Sequence, residues 1–128
     1  YPVWGLSPSS KPAAGYSEFG ARILGVRGYR AGVVTPHAAA LALMVDPVAA
    51  TANLRQLAAR YPILGDFGFY DAVDPQTGQV AYNYLALDQS MILIALANHL
   101  ENGVIQRYFA ADPIIQQVLP LLGAERFF

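Results

Sequence analysis

Two stretches of this sequence have no polar side to turn toward water. Residues 37–45 (HAAALALMV) and residues 90–97 (SMILIALA) are apolar around nearly the whole circumference of a helix. A helix of that kind is stable only with protein on every side. Each is followed by a different sort of helix. Between residues 47 and 60, Ala50, Leu54, Leu57 and Ala58, continued by Tyr61, recur at helical spacing, while Asn53, Gln56 and Arg60 lie off that stripe. Near the end of the chain, Ile114, Ile115, Val118, Leu119 and Leu122 make a second stripe. The order is therefore buried helix, amphipathic helix, loop, buried helix, amphipathic helix. Concentric rings of helices require this alternation, because inner helices touch protein on all sides and outer helices on one. The sequence predicts an all-α fold built from about two helical hairpins of an α/α toroid, with a small β-hairpin excursion. A four-helix bundle is the competing fold, but it wants a similar stripe on every helix.

Local signals mark the ends of these elements. Thr35-Pro36, Asp46-Pro47 and Asp112-Pro113 each place a capping side chain before a proline at the first helical position. Tyr61-Pro62 and Asn102-Gly103 are stops, and Pro120 is expected to prevent much continuation of the last helix. A short helix is predicted over residues 104–110. Asp74-Pro75-Gln76-Thr77-Gly78 is a turn between two short apolar runs, residues 69–73 and 79–84, which reads as a hairpin. Residues 1–34 carry Pro2, Gly5, Pro8, Pro12, Gly15, Gly20, Gly25, Gly28 and Gly32, a density of breakers that predicts an irregular segment with at most one short strand. Trp4, Tyr16, Phe19 and Tyr29 are spread through it, as anchors to the core or as ring faces for a ligand.

Only 13% of the 128 residues are charged, against roughly 25% in an average soluble domain. Such a surface is expected to be covered, by a tight oligomer or by the rest of a larger assembly. A net charge of −1 gives no electrostatic reason to bind nucleic acid or an anionic membrane. With no cysteine there is no disulfide and no thiolate metal site. The longest apolar run, residues 91–97, is too short to span a bilayer.

The chemistry concentrates in residues 65–100. Four tyrosines, Tyr70, Tyr82, Tyr84 and the nearby Tyr61, and the acids Asp66, Asp71 and Asp74 precede the second apolar helix. Asp88 is placed as the cap of that helix, a position both fixed and open to a cleft. Aromatic faces next to carboxylates suit sugar rings and sugar hydroxyls. Glycoside hydrolysis usually needs two carboxyl groups about 5 to 9.5 Å apart. The candidates are Asp88, Asp71, Asp66 and Glu18; for Asp88 the alternative is a purely structural helix cap, and for Asp71 a loop carboxylate bonded to backbone amides. His37 and His99 have no ligand-spaced neighbour in sequence, so no metal and no cofactor is expected. Asp71, Asp74 and Gln76 lack the glycine and terminal glutamate of a calcium loop.

Several segments taken together resemble the bacterial glucoamylase-like family, which includes endo-β-1,2-glucanases and a region of cyclic β-1,2-glucan synthases. They are Trp4-Gly5-Leu6-Ser7, Gly15-Tyr16, Val33 to Pro36, Gly68-Phe69-Tyr70-Asp71-Ala72, Tyr84-Leu85-Ala86-Leu87-Asp88-Gln89, and Ala110 with Asp112-Pro113-Ile114. Ser90 stands where the family frequently has glycine. The resemblance implies an (α/α)6 barrel of which residues 1–128 are the C-terminal portion, with residues 1–34 on the active-site side and residues 35–128 forming hairpins. It implies a glycoside hydrolase-like protein acting on a bacterial glucan, β-1,2-linked, with Asp88 as active-site carboxylate. Trp4, Tyr70, Asp71, Tyr84, Gln89 and His37 are then the substrate-binding candidates. The partner acid, a glutamate, would lie upstream of Tyr1, so the isolated chain is expected to show little hydrolysis. Expected partners are an oligo- or polysaccharide and the remainder of the barrel or a second copy. The expected location is periplasmic or secreted, with cytoplasmic as the alternative. The competing functions are a non-catalytic carbohydrate-binding or scaffolding fragment of the same fold, and a small helical oligomer unrelated to sugar.

Overall fold

A computed structural model describes residues 2–19 and 32–122. Tyr29 and the glycines at 20, 25 and 28 lie outside the described residues. Helix α1 (Pro36–Leu41) starts after Thr35, whose backbone is extended (φ −118°, ψ 131°), and runs into a 3₁₀ turn, Ala42–Met44. Asp46 opens α2 (Pro47–Arg60) by accepting the Ala49 N–H at 3.0 Å, and Tyr61 leaves it in an extended conformation. The remaining helices are α3 (Ala86–Leu100), α4 (Val104–Ala110) and α5 (Pro113–Leu122). Asp112 Oδ1 accepts the Ile114 N–H at 2.8 Å and so opens α5 as its sequence signal predicted.

Three two-stranded antiparallel pairs fill the connections: β1 (Ser9–Ser10) with β2 (Tyr16–Ser17), β3 (Leu64–Gly65) with β4 (Gly68–Phe69), and β5 (Ala72–Val73) with β6 (Val80–Ala81). The turn between β5 and β6 is the predicted one. Asp74 Oδ1 accepts the Gln76 N–H at 2.8 Å, and Gly78 takes a φ of 74°.

The core lies between the helices and the β5–β6 hairpin. Val3, Val34, Ala39, Leu57, Ile63, Val73 and Val80 form one buried cluster. Phe19, Val33, Ala72 and Ala81 form another. Val34 and Val73 exchange both backbone hydrogen bonds, at 2.8 and 2.9 Å. That single bridge pins the start of α1 against β5. Gly5 packs beside it: its carbonyl accepts the Thr35 N–H at 2.9 Å, and a Cβ at Gly5 would lie 2.5 Å from the Thr35 carbonyl oxygen. With φ at 135° as well, only glycine allows this approach.

Three expectations need correction. The irregular segment holds the β1–β2 pair, so the hairpin excursion is not the only sheet among the described residues. Asn53, off the apolar stripe, is buried because its amide clamps Trp4: Oδ1 accepts the Trp4 N–H at 2.9 Å and Nδ2 donates to the Trp4 carbonyl at 2.7 Å. Finally, neither apolar helix is buried all round within this chain. α3 packs on α1, the 3₁₀ turn and α4, while Leu87, Leu93, Ile94, Leu96 and Leu100 face outward. Leu41 at the end of α1, and Met44 and Val45 after it, are exposed. These side chains have apolar surface and nothing among the described residues to cover it.

Candidate active site

The candidate site forms where α1, the β4–β5 connection and α3 meet. His37 is the second residue of α1. Asp71 lies just before β5, its backbone N–H donating to the Asn83 carbonyl at 2.9 Å. Asp88 does not cap α3, contrary to its predicted position. Leu85 is the capping residue, and Asp88 is third in the first turn, where the helix dipole still favours an anion. One turn inside the helix, its side chain points toward α1 instead of outward.

All three side chains are buried: Asp71 is 1% exposed, His37 2% and Asp88 4%. His37 Nδ1 lies 3.2 Å from Asp88 Oδ2. It also lies 2.9 Å from Thr35 Oγ1, a hydrogen bond whose direction depends on the imidazole tautomer. One ring nitrogen can serve only one of these partners, and the Thr35 contact is the shorter. The Thr35 hydroxyl is thus spent on orienting His37, and no backbone N–H of α1 donates to it. Burial lowers the His37 pKa, opposed by the charge of Asp71, so the ring is neutral near pH 7.

Asp71 Oδ2 accepts the Ser10 N–H at 2.7 Å, while Asp71 Oδ1 and Asp88 Oδ2 have no donor among the described residues. Two ionised carboxylates would leave both oxygens stranded in a buried place. One shared proton resolves the conflict. Accordingly, burial pushes the Asp88 carboxyl up to about 7, helped by hydrogen bonding to Asp71 and by the Asp71 charge.

This has a consequence for stability. Between about pH 4, near the ordinary value of 3.8, and about 7, folded Asp88 holds a proton that the unfolded chain has released. Stability from this group is therefore present at the acid end and lost as pH rises to about 7, with no further change above. His37 contributes its own dependence, so the difference between wild type and Asp88→Asn isolates Asp88. The melting temperature of the natural protein carrying this chain should fall relative to Asp88→Asn from pH 4 to 7. Parallel curves would show an Asp88 that ionises normally.

His37, Asp71 and Asp88 each offer one ligand atom within 4.8 Å of the others. These neighbours of His37 are distant in sequence, so spacing along the chain could not reveal them. A proton on the pair and a cation between the two carboxylates are alternative ways to relieve the same repulsion.

The other candidates sit around this centre. Gln89 Nε2 donates to the Phe69 carbonyl at 2.7 Å and so fastens the strand leading to Asp71 onto α3. Tyr70 and Tyr84 stack with ring centroids 4.7 Å apart, and Tyr82 meets Tyr70 edge-on at 5.0 Å. The hydrogen bond between the Tyr70 and Tyr84 phenols raises the Tyr70 pKa. Those two phenols crowd Gly65, where any Cβ would run into them. They are engaged with each other rather than presented as two free faces. Trp4, half exposed, reaches the centre only through its backbone and that of Gly5. Asp66 is exposed on the β3–β4 turn, and Glu18 is exposed after β2. Sequence reasoning missed Thr35 as the His37 partner and Ser10 as the Asp71 partner. Ser10 and Asp71 are 61 residues apart, and no local signal joins them.

No helix among the described residues is long and apolar enough to cross a membrane. Comparison with known proteins gives consistent relatives. The chain is 36% identical over 136 aligned positions to the cyclic β-(1,2)-glucan synthase NdvB of Rhizobium meliloti, a match covering 93% of this chain and 5% of NdvB. It superposes on an endo-β-1,2-glucanase from Chitinophaga pinensis, crystallised with sophorotriose and glucose, with a TM-score of 0.77 at 25% identity, covering 90% of this chain and 27% of that protein. A glucoamylase-like protein from Bacteroides fragilis gives a TM-score of 0.79 at 26% identity, covering 93% and 27%. The chain thus spans about a quarter of the solved relatives and a twentieth of NdvB. The Glycoamylase family profile, which describes glucoamylases, matches residues 1–113, and on that match and the NdvB identity the chain belongs to this glucoamylase-like family.

Proposed function

We propose that this chain is the C-terminal part of a glycoside hydrolase-like (α/α)6 toroid that cleaves a bacterial β-glucan, β-1,2-linked, in the periplasm or outside the cell. The uncovered apolar faces of α1 and α3 pack on the remaining hairpins of that ring. One observation carries the reading: a buried carboxyl, Asp88, is held near neutrality beside Asp71 and a neutral His37. A base poised near the working pH is what water activation needs.

In the proposed reaction Asp88, ionised, takes a proton from water. The water oxygen bonds to the anomeric carbon as the glycosidic C–O bond breaks. The leaving oxygen receives a proton from an acid outside these residues. Asp71 is not that acid, because its ligand atom lies within 4.8 Å of the one on Asp88, whereas a pair that admits a water across the bond is about 6.5 to 9.5 Å apart. Asp71 instead shares the Asp88 proton. Tyr70, Tyr84, Gln89, His37 and Trp4 line or brace the sugar subsite. Related proteins that act on β-1,2-glucan support the substrate class.

The test is reducing-end release from linear β-1,2-glucan by the natural protein, beside β-1,3- and β-1,4-glucans. Turnover confined to the β-1,2 polymer is expected. Saturable binding without turnover would favour the non-catalytic carbohydrate-binding reading. No binding to any of the three would overturn both.

A further inference from the structure

We propose that the β3–β4 turn carries a sugar subsite beside the candidate active site, with the Phe67 ring as the stacking face for one pyranose of the glucan. The inference rests on the β-glucan reading above and names where a further unit of that substrate sits.

Gly65 and Gly68 are partners in the antiparallel register, so Asp66 and Phe67 make up the whole loop between β3 and β4. Phe67 is 80% exposed at its tip. A phenylalanine there adds nothing to the core, yet its backbone is fixed. The Phe67 N–H donates to the Tyr84 hydroxyl at 3.4 Å, and its ring meets the Tyr84 ring edge-on with centroids 5.6 Å apart. On one side of the loop the phenols of Tyr70 and Tyr84 crowd Gly65, where no side chain fits. On the other, Gly68 takes a φ of 110°, and a Cβ there would lie 2.8 Å from Gln89 Oε1. Gln89 also holds the Phe69 carbonyl at 2.7 Å, and it follows Asp88 directly in α3. The loop is therefore seated on the stretch of helix that carries Asp88, and it presents an uncovered ring next to that site. A ring on a backbone already fixed loses little freedom when a ligand arrives.

The surroundings of the ring favour a sugar over more protein. The uncovered faces of α1 and α3 are aliphatic, with side chains such as Leu41, Leu93 and Leu96. Phe67 instead stands beside the exposed Asp66. Burying that carboxylate against apolar protein would be costly. A pyranose offers a flat C–H face to the ring and hydroxyls that can donate to the carboxylate.

Phe67→Tyr keeps the ring face, Phe67→Leu keeps apolar bulk without one, and Phe67→Ala keeps neither. On linear β-1,2-glucan, the natural protein carrying Phe67→Leu or Phe67→Ala should show a KM raised about tenfold, with kcat within about threefold and an unchanged melting temperature. Phe67→Tyr should stay within about twofold of wild type. A Phe67→Leu protein equal to wild type would overturn the inference, because no flat ring is then needed. So would a Phe67→Tyr protein as impaired as Phe67→Leu. A lowered melting temperature in Phe67→Ala would also overturn it, by making Phe67 a residue packed on the rest of the protein. If wild type binds the glucan without cleaving it, the same changes are read in the dissociation constant. If wild type neither binds nor cleaves any glucan, the functional reading has failed, and that is known before any variant is made.

Discussion

Asp88→Asn is expected to lower turnover of the natural protein on its glucan by about a thousandfold, the usual reach of a positioned proton-transfer group. Asparagine has nearly the shape of aspartate and cannot take a proton from water. Glucan affinity should change by no more than a few fold, since the contacts to the sugar remain. The fold should tolerate the change well. Asp88 is buried beside Asp71 with one oxygen lacking a donor, and a neutral amide removes the like-charge repulsion. The loss is therefore read cleanly as kcat, with the melting temperature held or raised near pH 7. Turnover within a few fold of wild type would remove Asp88 from the mechanism and leave it as a structural residue of the first turn of α3.

Asp71→Asn is expected to move the pH profile. Of the causes that hold Asp88 near 7, burial is the largest and stays; the hydrogen bonding to Asp71 and its charge are lost. The Asp88 pKa should fall from about 7 toward 3.8 without reaching it. If activity requires ionised Asp88, the acid limb of kcat/KM should shift to lower pH by about one unit or more. The plateau should drop about tenfold, because a weaker base accepts the water proton less readily. The new amide can still accept the Ser10 N–H through its oxygen, so the β1–β2 hairpin keeps its anchor. An acid limb that does not move would mean that the two carboxyls do not share a proton. An Asp71→Asn protein without activity and without a measurable limb would make Asp71 a group in direct contact with the reacting atoms.

The two substitutions separate the roles that the geometry assigns. Asp88→Asn removes the base and leaves its tuner; Asp71→Asn leaves the base and removes its tuner. Their effects should not add, since a base that is absent cannot be tuned.

Much of this architecture is visible one segment at a time. Capping side chain followed by proline marks the starts of α2 and α5 within a residue, because the physics is a contact between residues two or three apart; α1 also starts at its proline, although the Thr35 hydroxyl turns to His37 instead of capping. The Asp74 turn is legible for the same reason, and the polar-poor circumference of residues 90–97 announces a helix that needs neighbours. The same local reading placed Asp88 as a cap when it belongs to the third position of α3, since Leu85 ends the extended segment three residues earlier than a capping aspartate would. It also found no ligand-spaced neighbour for His37, because Asp71 and Asp88 are distant in sequence.

What the tertiary structure alone decided is the meeting of His37, Asp71 and Asp88. A backbone bridge between Val34 and Val73 draws two distant segments together, and the packing of α3 on α1 brings in the third. Burial and proximity then change what the acids are. In the sequence they are ordinary carboxylates, and only a fold that removes water and forces like charges together can hold one of them near neutrality.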